Sequence, residues 1–171
     1  PRPQKTPAED QAACADRSPL LVDGNKLVLE EFEFTRTGHA DVAAGWVARH
    51  AVADPPTQER VRSHLAVLHD DDFTHFVRHA TEVVARVALD YETKTVRGGA
   101  LFYQEFLPAE TLFYSLVLAS ASRSGQHPRP AEAMLGYLAD HLPPGTVLQV
   151  GGDETTGKGL CLARLRDGKE A

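Results

Sequence analysis

Residues 147 to 162 read Val-Leu-Gln-Val-Gly-Gly-Asp-Glu-Thr-Thr-Gly-Lys-Gly-Leu-Cys-Leu. Two apolar runs of strand character enclose a loop rich in glycine, with one lysine and a centre of carboxylates and hydroxyls. No other stretch restricts the backbone so tightly. Without a Cβ, Gly151, Gly152, Gly157 and Gly159 can take positive φ and leave their N–H groups exposed, as a polyanion-binding concavity requires. Lys158 adds a point charge. The same residues also suit a glycine-rich hairpin that only turns the chain, and both readings stand at this point.

The spacing Gly152-x-x-x-x-Gly157-Lys158 is that of a nucleotide-binding P-loop. Such a loop needs Ser or Thr after the lysine to hold magnesium, and then a helix whose N-terminus faces the phosphates. Here Gly159 takes the hydroxyl position, and Leu160 to Ala163 reads as a strand. A phosphate- or nucleotide-binding enzyme using this loop is the alternative function, and a helix after Lys158 would favour it.

At 171 residues the chain is long enough for one domain with a sizeable core. A net charge of −6 argues against nucleic-acid binding through a bulk basic surface, because phosphate contacts dominate such affinity. Any RNA contact is therefore local or shared with partner subunits. Cys14 and Cys161 stand far apart without a second pair, which argues against a zinc ribbon or a disulfide scaffold. No apolar run approaches a membrane span and the start lacks a signal-peptide core, so the expected location is cytoplasmic, with no membrane partner. The chain starts with Pro1 and its one methionine is Met134, so a fragment, a processed product or a trimmed chain is expected.

Residues 1–18 are rich in Pro, Asp, Glu, Gln and Ala and read as a flexible tail or linker stub. Residues 19–171 read as a single domain. Within it, Leu20 to Val22 is a short strand and Lys26 to Thr35 a longer one with a bulge near Glu30 and Glu31. His39 to Val52 has Val42, Trp46, Val47 and His50 at helical spacing, and Pro55-Pro56 follows its end. Thr57 is placed to cap a second helix through Leu68. Asp70, Asp71 and Asp72 suit a helix N-cap and first turn better than a magnesium site. His75 and His79 have the i, i+4 spacing of two metal ligands, but no third ligand is identifiable, so no metal site is assigned.

Thr81 to Leu89 and Val96 to Phe106 form a β-hairpin. Its exposed face carries Arg86, Lys94 and Arg97 beside Tyr91, Phe102 and Tyr103, a set able to stack on bases and pair with phosphates of single-stranded RNA. A solvated hairpin face accounts for the same residues. Glu110 to Ser120 is the most apolar segment and reads as a central strand. Pro130 opens a helix to His141, and the strand into the glycine loop follows. The order of elements is that of an α+β, ferredoxin-like (RRM-like) sandwich with an inserted β-hairpin.

Five stretches in order carry a specific resemblance: residues 26–32, Asp70 to Phe73, the run from Thr81 through Glu105, Leu107 to Tyr114, and Leu148 to Gly159. Over roughly residues 20 to 165 the chain resembles the C-terminal part of the Cmr4 family of type III-B CRISPR effector complexes, within the RAMP superfamily. That resemblance implies a ferredoxin-like subunit that stacks with further copies of itself and other Cmr subunits along a CRISPR RNA. It further implies a hairpin thumb between guide and target RNA, and cleavage of the target with a divalent metal, Mg or Mn, in antiviral defence. It gives the RNA-backbone contact to Gly151, Gly152, Gly157, Lys158 and Gly159, with Thr155 and Thr156 as phosphate donors. The family's catalytic aspartate lies in an N-terminal segment that no segment here matches; of Tyr103, Glu105 and Glu110 in the matching stretch, the resemblance offers Glu110 as a supporting acid, and a surface polar residue at a strand start accounts for it equally well. A stand-alone ferredoxin-like interaction domain is the third reading.

Overall fold

The computed structural model describes residues 6–123 and 125–166. They fall into two compact units, Pro1–Ala48 with Pro55–Phe113, and Arg49–Asp54 with Tyr114–Ala171. The first unit is built on a five-stranded mixed sheet of β1 (Gln11–Ala13), β2 (Leu21–Val22), β3 (Lys26–Leu29), β4 (Phe32–Gly38) and β5 (Val67–Leu68), in the order β2-β3-β4-β1-β5.

The part of the expected tail that is described proves to be structural. β1 runs parallel to β4 and antiparallel to β5, and Ala12, Ala13 and Cys14 are buried. Their side chains are too small to register as a hydrophobic run, yet that smallness lets β1 lie close to its neighbours. A Cβ on Gly38 would meet the Ala13 Cβ at 3.3 Å. Residues 1–5 lie outside the described residues.

The expected bulge at Glu30 and Glu31 is a complete reversal, with Glu30 at φ +52° and Leu29 paired to Phe32. The reversal makes Leu27 and Phe34 cross-strand partners, and both enter the core formed with Ala12 and Cys14. A single bulged strand could not bring those two together, which is why the phase of alternation breaks there. Phe32, Leu68 and Phe76 pack around this core, Phe76 lying edge-on to Phe32 at 5.7 Å.

Helix α1 (Asp41–Ala51) buries Ala44 and Ala48, whereas Val42 and Trp46 of the expected apolar stripe are exposed. Helix α2 (Pro55–His64) starts at the prolines and not after Thr57, since proline's fixed φ and missing N–H suit a first turn. It ends at His64, and Val67–Leu68 leaves the helix to pair with Ala13 and Ala12. Helix α3 (Asp70–His79) has the three aspartates in its first turn as expected. Its cap, however, is His69, whose Nδ1 accepts the Asp71 N–H at 3.3 Å.

The hairpin of β6 (Glu82–Leu89) and β7 (Val96–Phe106) is present, with a register shift between Val87 and Leu89. Beyond it, residues 110–120 form no strand, because no described strand offers them a partner. In the second unit α4 (Ala131–His141) follows Pro130 as expected, and β8 (Val147–Gln149) pairs antiparallel with β9 (Leu160–Leu162). The Arg164 guanidinium donates to the carbonyls of Arg49 and Val52 at 3.3 and 3.2 Å, satisfying acceptors at the end of α1. The α+β class and the inserted hairpin agree with the sequence, with the strands divided among three sheets.

Leu27 is fully buried whereas Val28 is half exposed, so Leu27→Ala is expected to cost about 2–5 kcal/mol and Val28→Ala under about 1 kcal/mol in denaturant unfolding. Equal costs would contradict the core assignment. The Arg36 guanidinium donates to the Asp16 carboxylate and, through Nε, to the Cys14 carbonyl at 3.3 Å. The hydrogen bond from Arg36 holds the Asp16 carboxyl below its usual range. The stabilisation is therefore present above the unfolded value, about 3.9, and is lost as pH falls through the folded one. The stability difference between wild type and Asp16→Asn should be present at about pH 5 and shrink below about pH 4. A difference that ignores pH would remove this pair's role.

Candidate nucleic-acid interface

The glycine loop is held between β8 and β9 by contacts that only some of its residues can make. The Val150 N–H donates to the Gly159 carbonyl at 2.9 Å, which extends the pairing one step beyond the strands. A Cβ on Gly159 would lie 2.3 Å from the Val150 oxygen and 2.5 Å from Gln149 Nε2. Gly159 also sits at φ +76°, so its glycine is required twice over. Gln149 turns its amide into the loop, Nε2 donating to the Lys158 carbonyl at 3.1 Å.

Inside the loop a single 3-10 turn covers Glu154–Thr156, entered by Asp153 at φ +61° and left by Gly157 at φ +76°. The Asp153 carbonyl accepts the Thr156 N–H at 2.9 Å, the Lys158 N–H at 3.2 Å and the Thr156 hydroxyl at 2.9 Å. The Gly157 N–H goes to the Glu154 carbonyl at 2.9 Å. The amides of Thr156, Gly157 and Lys158 are thus turned inward. Those of Gly151, Gly152 and Thr155 make no hydrogen bond to another described residue and lie on the exposed rim. A strand, β9, follows the loop where a nucleotide-binding P-loop would have a helix.

On the hairpin, Arg86 places its guanidinium over the Phe106 ring at 5.4 Å and pairs across the strands with Phe102. Arg97 is exposed. At the tip, Lys94 takes φ +56° and sets its Nζ 3.9 Å from the Tyr91 ring centroid. Asp90 fixes that turn by accepting the Thr93 N–H at 2.9 Å and the Glu92 N–H at 3.0 Å, and the bonds from Thr93 and Glu92 hold its carboxyl below the usual range. Arg86 and Lys94 thus each lie over an aromatic ring and carry their charges on the hairpin.

Glu110 lies in the first unit in a turn at φ +67°, and its carboxylate is engaged by the Arg60 guanidinium. Among the described residues, Glu9, His69 and Asp71 form a group whose ligand atoms lie within 4.8 Å of one another. Helix capping by His69 and first-turn acids account for that cluster without an ion. No spacing signal could have shown it, since Glu9 and His69 are distant in sequence. His75 and His79 have ring centroids 4.7 Å apart, with His75 packed edge-on to Phe32 at 4.8 Å. The sequence reading also missed Gln149 as the loop's strut; a lone amide inside an apolar strand was the available signal.

Residues 12–161 match the family model of the RAMP superfamily. The chain is 33% identical over 150 residues to the CRISPR system Cmr endoribonuclease Cmr4 of Pyrococcus furiosus, covering 86% of this chain and 49% of that protein. It is 32% identical over 101 residues to the CRISPR system CMR subunit Cmr4 of Saccharolobus solfataricus, covering 58% of this chain and 30% of that one. Its fold is similar to the crystal structure of oligomeric Cmr4 from Pyrococcus furiosus, with a TM-score of 0.62 at 28% identity over 92% of this chain and 53% of that chain. The chain thus spans about half the length, or less, of these relatives.

Gly152 has open space around a built Cβ and no positive φ, in contrast to Gly159. Gly159→Ala is expected to break the Val150 hydrogen bond and speed exchange of the Val150 amide at least tenfold, while Gly152→Ala leaves it unchanged. The same effect from both would refute the closure.

Proposed function

The chain belongs to the RAMP superfamily, and on that premise we propose that it is the RNA-holding portion of a Cmr4-type backbone subunit of a type III-B CRISPR complex. It works in the cytoplasm, gripping CRISPR RNA through the glycine loop and meeting guide and target RNA with the hairpin. Its partners are those RNAs, other Cmr subunits and further copies of itself. The observation that carries this reading is the loop's outward rim, where the amides of Gly151, Gly152 and Thr155 form no internal hydrogen bond. Amides in that state suit an oxyanion such as a backbone phosphate. Among the described residues no helix is long and apolar enough to cross a membrane.

A net charge of −6 confines such binding to local contacts, and Asp153 and Glu154 lie within the loop itself. Binding therefore depends on an assembly that supplies further cations. The strand after Lys158 speaks against the nucleotide-binding alternative. For cleavage with a divalent metal, the candidate acid Glu110 is in an exposed ion pair with the Arg60 guanidinium. No cleavage step is assigned to it.

The test is binding of a labelled CRISPR RNA across a salt series in the presence of the partner subunits, with wild type and a Gly157→Asp, Lys158→Glu double variant. The variant should bind more weakly, with the salt slope reduced by about one for each phosphate it no longer neutralises. Equal binding by the two would overturn the loop's role. On its own the chain is expected to leave target RNA intact with magnesium or manganese, and guide-dependent cuts at regular spacing would contradict that.

A further inference from the structure

In the first unit one guanidinium ties three parts of the chain together. Arg36, in β4, donates through Nε to the Cys14 carbonyl at 3.3 Å, and its Nη2 reaches both the Asp16 carboxylate and, at 3.0 Å, Nδ1 of His39. That guanidinium nitrogen carries two hydrogens, one for each acceptor. His39 stands between β4 and α1, and the carbonyl of the next residue, Ala40, already accepts the Ala44 N–H at 2.8 Å. The same Nδ1 lies 3.1 Å from the Asp16 Oδ1 and 4.0 Å from the Asp41 Oδ2 in the first turn of α1. The charged groups about the ring are therefore Arg36 from β4, Asp16 from the segment after β1 with Arg17 beside it, and Asp41 from α1. The Cys14 thiol lies beside Arg36. One ring nitrogen cannot suit both of its near neighbours. Without a hydrogen, Nδ1 accepts from Arg36 and sets its lone pair against a carboxylate oxygen. With one, it donates to Asp16 and turns its N–H against those of Arg36. Each state satisfies one contact and spoils the other, so the proton selects between two settings.

We propose that His39 is a proton-operated switch at the corner between β4 and α1. Neutral, with its hydrogen on Nε2, the ring is held by Arg36. Protonated, it leaves Arg36 for Asp16 and Asp41, and so ties the segment after β1 to the first turn of α1. Arg36 keeps its bonds to Asp16 and to the Cys14 carbonyl in both settings, so the core is not disturbed. Asp16 stays a carboxylate throughout, because the hydrogen bond from Arg36 holds its carboxyl below the usual range. His39 and Asp16 are both well exposed, so protons reach the ring directly from solvent and the effect on stability is small. No part of the switch depends on RNA.

The test is nitrogen-detected NMR of the His39 ring and the Arg36 side chain in the whole chain, from about pH 8 to about pH 5, the interval in which imidazoles ordinarily take up a proton. At the basic end the ring should carry its hydrogen on Nε2 alone. As it gains the second on Nδ1, the Arg36 Nε and Nη2 signals should move with the same midpoint. In His39→Gln they should stay still over the same interval. A neutral ring with its hydrogen on Nδ1 would overturn the proposal, as would Arg36 signals that ignore His39 or that move alike in His39→Gln. Stability gives a second readout, through double-mutant cycles of His39→Gln with Arg36→Gln and with Asp16→Asn in urea unfolding. From the basic to the acid end, the coupling of His39 to Asp16 should rise by about threefold in the folding equilibrium constant, and that of His39 to Arg36 should fall by about as much. If Arg36→Gln does not fold, the cycle with Asp16→Asn decides alone, and a coupling that is the same at both ends overturns the switch.

Discussion

A strand is stable only when its backbone groups and its apolar face both find partners, and the first unit meets both demands through β1. That strand supplies hydrogen bonds to β4 on one side and β5 on the other. Its small side chains let Leu27, Phe34 and Cys14 close over it. Burial also pushes the Cys14 thiol up, with Arg36 opposing the shift. Remove β1, and β5 loses the strand it pairs with and the core loses Ala12.

The second unit meets the same demands only in part. Among its described residues the one sheet is the β8–β9 pair. The Val150–Gly159 bond and the missing Cβ at Gly159 hold the two strand ends together. Asp153, with its carbonyl taken by three donors, turns the inner amides away from solvent and leaves the outer ones facing it. In the proposed role, a loop closed in this way would offer an anion a preformed set of donors and so lower the ordering cost of binding.

Much of this was legible in the residues because the signals were local. The glycine loop, the strand after it, the long hairpin and the helix after Pro130 all follow from alternation, glycine placement or proline chemistry. What escaped depended on residues distant in sequence. Ala12 to Cys14 has no hydrophobic signature of its own and becomes core only beside Phe34 and Leu68. Glu30 carries no glycine to announce a positive φ. His69 caps a helix in a place where an aspartate seemed the natural choice. At the candidate site Gly151, Gly157 and Gly159 take the positive φ that the sequence suggested and Gly152 does not, while the Asp153 carbonyl holds the inner amides. The segment read as a central strand keeps a strand's sequence and lacks a strand's neighbours, so its character was legible and its environment was not.

The most direct measurement is photocrosslinking of the assembled complex with a CRISPR RNA bearing 4-thiouridine at successive positions, followed by mass spectrometry of the adducts. An RNA-backbone contact at the loop rim and a thumb-like hairpin predict adducts within residues 151–159 and within residues 86–97, recurring at regular intervals along the RNA. Adducts confined to other surfaces, with both stretches unlabelled, would contradict the assignment of this chain as the part of the subunit that holds RNA.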